Sequence, residues 1–313
     1  MARSIFSQPQ FNDEAAAYAY VEARLWPDGP ICPHCGVIGK AGKLSGKTDR
    51  IGSYKCYACR KKFSVKVGTI FESSHIAMRD WLTAIHLLCS SKKGISANQL
   101  SRTLGITLKS AWFVAHRIRE AMRDGALAPL GGEGKTIEAD ETYIGNIRGA
   151  PKRHRNVQHK NMVLTLVERG GSARSFHIDG KAISDVMPII RENVAHESRI
   201  NTDEAKHYYD VGKEYAAHET VNHAREEYAR KDGARLISTN TVEGYYSIFK
   251  RGMKGVYQHC GERHLHRYLA EFDFRYSNRA RLGIDDQARA ERALSGIVGK
   301  RLTYRVSLGA GGE

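Results

Sequence analysis

The sequence predicts a multidomain α+β protein in which a small metal-binding ribbon and a pair of helices precede an α/β core. Three observations predict this architecture. Two Cys-x2-Cys pairs lie before residue 60, a helical pattern with a glycine turn follows them, and strand and helix patterns alternate after a Gly-rich segment. At 313 residues the chain is long enough for two or three domains with sizeable cores.

The composition indicates a polyanionic partner and argues against a membrane protein. The chain carries 49 Lys and Arg against 34 Asp and Glu, a formal net charge of +15, which favours association with nucleic acid. Its sequence contains no apolar run near the roughly 18 to 20 residues that span a bilayer, and its N-terminus lacks a signal-peptide pattern. We therefore expect a cytoplasmic protein with no membrane partner.

Four of the six cysteines form two Cys-x2-Cys pairs with 20 residues between them, the spacing of a zinc ribbon: Cys32, Cys35, Cys56 and Cys59. Four thiolates complete a closed tetrahedral site that leaves no position for substrate, so the predicted zinc is structural. Disulfides are the weaker explanation in a reducing compartment, and coincidental or redox-active cysteines are the alternative. The predicted ribbon spans residues 10–68 with an N-terminal helix, and its many basic residues either lie along phosphates or form a solvated surface.

Residues 75–124 have the pattern of a helix-turn-helix. Leu100 and Leu104 are spaced for one helical face, Gly105 permits a turn, and Thr107 can cap a second helix. The second helix of such a motif enters the major groove of DNA, whereas a generic helical hairpin is the alternative. We predict DNA contacts from the second helix with its cap and from one basic residue farther along the chain: Thr107, Lys109, Ser110, Arg117 and Arg251.

A segment rich in glycine, residues 124–134, separates these helices from an α/β region. A helix is predicted from about residue 183 to 194, and strand patterns cover Thr136–Asp140, Asn161–Glu168, Arg174–Ile178 and Arg199–Thr202. A three-strand meander, a helix and then another strand is the order expected of a ribonuclease-H-like core. We assign residues 133–284 to this core and residues 285–313 to a C-terminal helix and tail.

Three carboxylates are candidates for one metal site. Asp140 and Asp203 each end a short apolar or β-branched run, where a strand would carry the acid at its tip. Glu243 and Lys250 lie seven residues apart in an amphipathic helical pattern, about two turns, and therefore share a face. Carboxylates are the ligands that Mg²⁺ prefers, so three that converge predict a magnesium site.

Ionisable residues beside these candidates have ordinary explanations. Alternation along a strand sends Glu141 and Glu204 to the face opposite their acidic neighbours. We expect both, and Glu138, to face solvent or to form salt bridges, although Glu138 could share the face of Asp140. His223 lies between the second and third acids, where it either positions substrate or packs as an ordinary histidine.

Several short motifs together point to one family. They are Glu138-Ala-Asp-Glu-Thr-Tyr-Ile-Gly145, Asn201-Thr-Asp203, Val221-Asn-His223, Asn240-Thr-Val-Glu-Gly-Tyr-Tyr-Ser-Ile-Phe-Lys-Arg-Gly252, Gly255-Val-Tyr257 and Glu271-Phe-Asp-Phe-Arg-Tyr276. With the four-cysteine ribbon, this set resembles the IS1595 (ISXO2-like) family of insertion-sequence transposases over nearly the whole chain. The resemblance implies a DDE recombinase on a ribonuclease-H-like fold, with Asp140, Asp203 and Glu243 as metal ligands and Lys250 as an accessory residue. Asn can replace the third acid in this family, but Glu243 is present here.

The reaction that the resemblance implies is Mg²⁺-dependent cleavage at the ends of an insertion sequence, followed by strand transfer. Two Mg²⁺ ions about 3.5 to 4 Å apart, or Mn²⁺ in their place, would serve the attacking and leaving oxygens. The implied partners are double-stranded DNA, as terminal inverted repeats and as target, and further copies of the chain in a homodimer or larger synaptic complex. The implied location is the cytoplasm of a prokaryotic cell, in association with the nucleoid.

Two other functions are compatible with parts of the pattern. A DNA-binding regulator derived from a transposase would keep the ribbon and the helices but have an inert acidic triad. A nuclease would hydrolyse DNA without joining strands. Intact acids at positions 140, 203 and 243 argue against the regulator, whereas no residue separates hydrolysis from strand transfer.

Overall fold

The computed structural model describes residues 4–302 apart from 124, 126–127, 148, 150–158, 179–182, 206–207 and 234. The end of the predicted tail, residues 303–313, lies outside the described residues. The chain divides into two compact units, one of residues 1–91, 95–122 and 286–313 and the other of residues 92–94 and 123–285. Within the described ranges, no helix combines the length and apolarity that crossing a bilayer requires.

The first unit begins with the ribbon. Helix α1 (Glu14–Leu25) precedes three short antiparallel strands, β1 (Ala41–Lys43), β2 (Tyr54–Cys56) and β3 (Lys62–Phe63). The rings of Trp26, Tyr54 and Phe63 pack together beside the cysteines and form a small core of their own. A core of this size gains stability from a metal staple, which is the role predicted for zinc.

Three helices continue the same unit: α2 (Met78–Ser90), α3 (Ala97–Leu104) and α4 (Leu108–Ala121). Gly105 makes the turn between α3 and α4 with φ +65°, a conformation that glycine adopts without strain. The hydroxyl of Thr107 caps α4 by accepting a hydrogen bond from the N–H of Ser110 at 3.2 Å. Leu100 and Ile118 are fully buried, so two helices with an ordered turn occupy the predicted segment.

The second unit is a mixed α/β domain built on a five-stranded sheet. Its elements are β4 (Thr136–Ile144), β5 (Asn161–Glu168), β6 (Ala173–Ile178), α5 (Ile183–Asn193), β7 (Arg199–Thr202) and β8 (Ala217–Thr220). The strand order is β6-β5-β4-β7-β8. Strands β4, β5 and β6 pair antiparallel, whereas β7 pairs parallel to both β4 and β8. The meander, helix and strand therefore follow one another as predicted.

A hairpin and two helices complete the second unit: β9 (Ala229–Asp232), β10 (Arg235–Ser238), α6 (Asn240–Gly252) and α7 (Leu265–Ser277). One apolar cluster joins the sheet to α5 through residues such as Ile137, Leu166 and Ile190. A second cluster joins the sheet to α6 and α7 through Val163, Phe249 and Phe272. The central strands are thus covered by helical side chains on both faces, and β5 is buried along nearly all its length.

The prediction that a strand ends at Asp140 is wrong. Strand β4 continues to Ile144 and pairs with β5 along its whole length, from Ile137 opposite Glu168 to Ile144 opposite Asn161. Its pairing with β7 covers only residues 136–138. Asp140 therefore lies in mid-strand, just beyond the point where β7 ends beside it.

The chain returns to the first unit at its end. Helix α8 (Asp286–Ser295) buries Ala293 and Leu294, and Ile297 after it is also fully buried. An isolated β-bridge pairs the next residue, Val298, with Thr69, which follows the predicted ribbon. The last described residues are consequently part of the core of the first unit.

Candidate metal centres

The four predicted zinc ligands meet in the first unit. One sulfur atom from each of Cys32, Cys35, Cys56 and Cys59 lies within 4.8 Å of all the others. The Sγ atoms of Cys32 and Cys59 are 3.7 Å apart, as are those of Cys35 and Cys56. A tetrahedral zinc site with Zn–S bonds of about 2.3 Å has sulfur–sulfur edges of about 3.8 Å. The arrangement therefore fits structural zinc, and the prediction of a four-cysteine ribbon is confirmed.

The predicted first and second acids lie side by side at one end of the β4–β7 pair. Glu138 pairs with Asn201 in the parallel register, so Asp140 is level with Asp203, the residue that follows β7. One oxygen atom from each of Asp140, Glu141 and Asp203 lies within 4.8 Å of the other two. This acidic cluster has the oxygen donors that a hard divalent cation requires.

Backbone hydrogen bonds orient two of these carboxylates. Asp140 Oδ1 accepts from the N–H of Glu141 at 2.7 Å, and Asp203 Oδ1 accepts from the N–H of Ala205 at 2.9 Å. Each aspartate therefore has one oxygen fixed by the main chain.

The electrostatics of the acidic cluster favour a cation. Burial raises the pKa of Asp140 from 3.8 to about 7, and repulsion from Glu141, Asp203 and Glu243 adds to this effect. Burial lowers the pKa of Lys250, and the nearby Asp140 carboxylate partly opposes this effect, so the two side chains are close enough to interact. A divalent cation would relieve the repulsion among these carboxylates, so the residues present fit a magnesium site.

Glu141 was expected on the face opposite Asp140, either facing solvent or in a salt bridge, but its carboxylate lies with that of Asp140. Its carboxylate belongs to the acidic cluster and accepts a hydrogen bond from the hydroxyl of Tyr208, which is fully buried. Alternation along a strand fixes the direction of Cβ, but the flexible glutamate side chain can bring its oxygens back to a neighbour's carboxylate. The adjacent acids of the Asp-Glu pair were the signal in the sequence.

The third predicted acid has a different environment. Glu243 is exposed, and its Oε1 atom lies 3.3 Å from the hydroxyl of Thr239 and 3.6 Å from Nε2 of His223. The structure does not place its carboxylate inside the acidic cluster, although its charge acts on Asp140. His223 is therefore a neighbour of the predicted third ligand.

Lys250 lies two helical turns after Glu243 on α6, on the side of the helix that is near Asp140. Its ammonium lies 5.7 Å from the centre of the Tyr246 ring. The hydroxyl of Tyr246 donates a hydrogen bond to the backbone carbonyl of Asp140 at 2.6 Å. One buried tyrosine thus connects the helix of Lys250 to the strand of Asp140.

Glu138 does not face solvent. It is fully buried, forms an ion pair with Arg169 at 2.6 Å, and accepts hydrogen bonds from the first turn of α6. Of the two environments expected for Glu138, solvent or a salt bridge, the structure shows the salt bridge. Glu204, by contrast, is exposed and accepts from the N–H groups of His223 and Ala224.

The residues predicted to contact DNA divide into two groups. Thr107, Lys109 and Arg251 are exposed, and Ser110 is half-buried. Arg117 is 4% exposed, and its Nη1 atom donates to the carbonyls of Ile70 and Glu72, each at 2.7 Å. The prediction for Arg117 is wrong, because its guanidinium is occupied inside the unit by main-chain carbonyls.

Comparison with known proteins adds three similarities. Residues 129–277 match a family model described as the ISXO2-like transposase domain, and residues 12–62 match one described as the transposase zinc-ribbon domain. A curated relative from Halobacterium salinarum, described as an uncharacterized protein in transposable element ISH50, is 25% identical over 263 residues. These cover 77% of this chain and 83% of the relative. The first matched range contains the acidic cluster, and the second contains the four cysteines.

Proposed function

Because the chain belongs to the IS1595 family of transposases, we propose that it cleaves insertion-sequence ends and transfers the freed strands to target DNA. The second unit would be a ribonuclease-H-like DDE core, with Asp140, Asp203 and Glu243 as ligands of two Mg²⁺ ions. The observation that carries the proposal is that Asp140 and Asp203 lie level with each other just beyond the end of the parallel β4–β7 pairing, where one oxygen from each lies within 4.8 Å of the other. Strand order β6-β5-β4-β7-β8 supports the fold assignment.

Each residue of the proposed site has a distinct task. Asp140 and Asp203 hold their carboxylates in place through backbone hydrogen bonds, which lowers the cost of ordering them around a ligand. Bound divalent ions would stabilise the charge that develops on the scissile phosphate and activate the attacking hydroxyl. Lys250 would bind a phosphate oxygen near the acids, and the partly buried setting of its ammonium strengthens such a contact.

Glu243 would complete the site by turning from its contact with Thr239 towards the other acids. Its contacts with Thr239 and His223 are longer than ordinary strong hydrogen bonds, at 3.3 and 3.6 Å, and its side chain is 44% exposed. Such a side chain keeps its rotameric freedom until a bound ligand orders it.

DNA recognition would come from the first unit. Thr107 and Lys109 are exposed at the N-terminal turn of α4, the part of a recognition helix that reaches bases or phosphates. The basic surface of the ribbon would bind the phosphate backbone. Transfer of two ends to one target requires that they be held together, so we propose a homodimer or larger synaptic complex as the active form.

The test incubates purified protein with Mg²⁺ and DNA that carries the candidate inverted repeats. We expect wild type to yield cut ends and joined products, and Asp140→Asn to yield neither while it still binds the repeats. Cut ends that never join would favour a nuclease. Wild type that binds the repeats specifically but neither cuts nor joins would contradict the proposal and favour a regulator.

A further inference from the structure

We propose that Glu138 is a positioning residue of this site: from strand β4 it holds the N-terminus of α6, and therefore Glu243, in a fixed place relative to Asp140. The inference rests on the proposed function, because it concerns the geometry of the same metal ligands. It assigns a task to a buried acid that touches none of the reacting groups.

The contacts of Glu138 use both of its carboxylate oxygens. Oε1 accepts from Nε of Arg169 at 2.6 Å and from the hydroxyl of Thr241 at 2.9 Å. Oε2 accepts from the N–H groups of Thr241 and Val242, at 2.7 and 3.0 Å. The side chain is fully buried, so water does not compete for these four donors. A buried carboxylate requires such complete satisfaction.

Two of these donors are backbone groups that a helix leaves unpaired at its start. The N–H groups at the second and third positions of a helix are ordinarily satisfied by the side chain of the capping residue. Thr239 holds the capping position of α6, but its side chain makes no capping hydrogen bond. Glu138 supplies the cap from a strand more than 100 residues earlier in the chain, and its negative charge lies at the positive end of the helix.

The capping of α6 by Glu138 instead of Thr239 has a consequence for the proposed third ligand. Because Glu138 satisfies the start of the helix, the hydroxyl of Thr239 is available to the carboxylate of Glu243, 3.3 Å away. Glu138 and Asp140 lie two residues apart on the same strand, and Glu243 lies in the first turn of α6. One carboxylate thus connects the strand of the first ligand to the helix of the third.

Arg169 extends this connection to the segment that leads into α6. Its guanidinium donates to the carbonyl of Leu236 and to both the carbonyl and the hydroxyl of Ser238, the last two at 2.9 Å. Asn201, on the strand that precedes Asp203, donates to the same carbonyl of Ser238 at 3.2 Å. The segment that leads into α6 is therefore hydrogen-bonded, through Arg169 and Asn201, to β4, which contains Asp140, and to β7, which Asp203 follows.

The test compares Glu138→Gln with a matched buried substitution. Glutamine keeps the size of the side chain but has one acceptor oxygen, so it cannot satisfy both the helix N-terminus and Arg169. Glu271→Gln is the control, since Glu271 is also fully buried and paired with an arginine of the same unit, Arg275 on α7. Mn²⁺ binding is measured by titration, and cleavage of the inverted-repeat DNA is measured as a function of Mg²⁺ concentration.

We expect Glu138→Gln to weaken Mn²⁺ binding and to raise the Mg²⁺ requirement by about 10- to 100-fold, the usual effect of removing a residue that orients metal ligands. Affinity for the repeats in the absence of divalent ions should not change. Glu271→Gln should lower thermal stability without changing the metal dependence. If Glu138→Gln does not fold, Arg169→Lys keeps the charge, loses the contacts to Leu236 and Ser238, and should raise the Mg²⁺ requirement in the same direction.

The outcomes separate the two proposals. Equal metal dependence in wild type, Glu138→Gln and Glu271→Gln would overturn this inference and leave the proposed function intact. If Arg169→Lys is the variant tested, a folded protein with an unchanged Mg²⁺ requirement would likewise overturn this inference and leave the proposed function intact. A wild-type protein that neither binds Mn²⁺ nor cuts the DNA would overturn the proposed function, and this inference with it.

Discussion

Replacing Asp140 with asparagine should stabilise the second unit when no divalent ion is bound. The pKa of Asp140 is raised from 3.8 to about 7, chiefly by burial and then by the nearby carboxylates. At about 1.4 kcal/mol for each pH unit between the two values, its ionised form destabilises the fold by up to about 4 kcal/mol. Asparagine removes the charge and keeps the oxygen that accepts from the N–H of Glu141.

The pH dependence of this effect has a definite sign. Between about pH 4 and pH 7 the folded state holds the Asp140 proton more tightly than the unfolded state, so stability falls as pH rises through this range. The gain from Asp140→Asn should therefore be near zero at pH 4 and greatest at pH 8. Saturating Mg²⁺ should reduce the difference in stability between Asp140→Asn and wild type at pH 8, because a ligand at 100 times its Kd stabilises wild type by about 2.7 kcal/mol.

Hydrogen exchange is the suitable assay, because it resolves the two units. All three tryptophans, Trp26, Trp81 and Trp112, lie in the first unit, so their fluorescence does not report on the sheet. Amides of β4 and β5 should exchange more slowly in Asp140→Asn than in wild type at pH 8, by up to roughly a thousand-fold where exchange requires unfolding. The measurement needs Mg²⁺-free buffer.

Asp210→Asn is the control for this experiment. Its side chain is 64% exposed and pairs with Lys213 on the surface of the same unit, so its loss should change stability by less than about 1 kcal/mol. If Asp140→Asn exchanged as fast as wild type at pH 8, or gained as much protection at pH 4, the destabilising charge at Asp140 would be refuted.

Three other perturbations test separate features of the fold. Arg117→Ala should cost about 2 to 4 kcal/mol in the first unit, by tryptophan-monitored melting, because buried carbonyls lose their donor; the salt dependence of DNA binding should not change. Cys35→Ser should lower the zinc content and unfold the ribbon, as measured by metal analysis and by exchange of β1 to β3. Gly252→Ala should cost about 1 to 3 kcal/mol in the second unit, by hydrogen exchange, since its Cβ would lie 2.4 Å from Phe272 and 2.7 Å from the Lys93 carbonyl.

Each of these variants has a matched control in the chain. Lys109→Ala removes an exposed cation of the same helix as Arg117 and should leave melting unchanged. Cys260→Ser alters a thiol outside the ribbon and should keep the zinc. Gly244→Ala adds a Cβ on α6 with nothing within 4 Å, so it should not destabilise the unit. If a control showed the same change as the variant it is matched to, the role assigned to the corresponding contact would be contradicted.

The parts of the fold that follow from local patterns were predicted from the sequence. Strands β5 and β7 have the predicted bounds, because apolar runs flanked by polar turns identify buried strands. The cysteine spacing predicts the sulfur cluster, since metal geometry leaves few alternatives. The β9–β10 hairpin was not predicted, because β9 is exposed at every position and has no apolar alternation.

The parts that depend on distant residues could not be predicted from local patterns. Arg117 is buried because carbonyls 45 and 47 residues away accept its hydrogen bonds. Glu138 is buried because the start of α6, over 100 residues later, needs an acceptor. The end of β4 was misplaced because two adjacent acids interrupt its apolar alternation, while pairing with β5 carries the strand past them. In each case the partner lies outside the sequence window in which a pattern is read.

The return of α8 to the first unit has a consequence for synthesis of the chain. Residues 286–302 supply part of that unit's core, including the fully buried Ala293 and Ile297. Domains ordinarily fold in the order in which they leave the ribosome. Here the second unit emerges complete while the first still lacks its last helix, so the first unit can be completed only after residues 286–302 have emerged. A polypeptide that has emerged only as far as residue 285 would accordingly contain an assembled sheet domain joined to an unfinished zinc-ribbon unit.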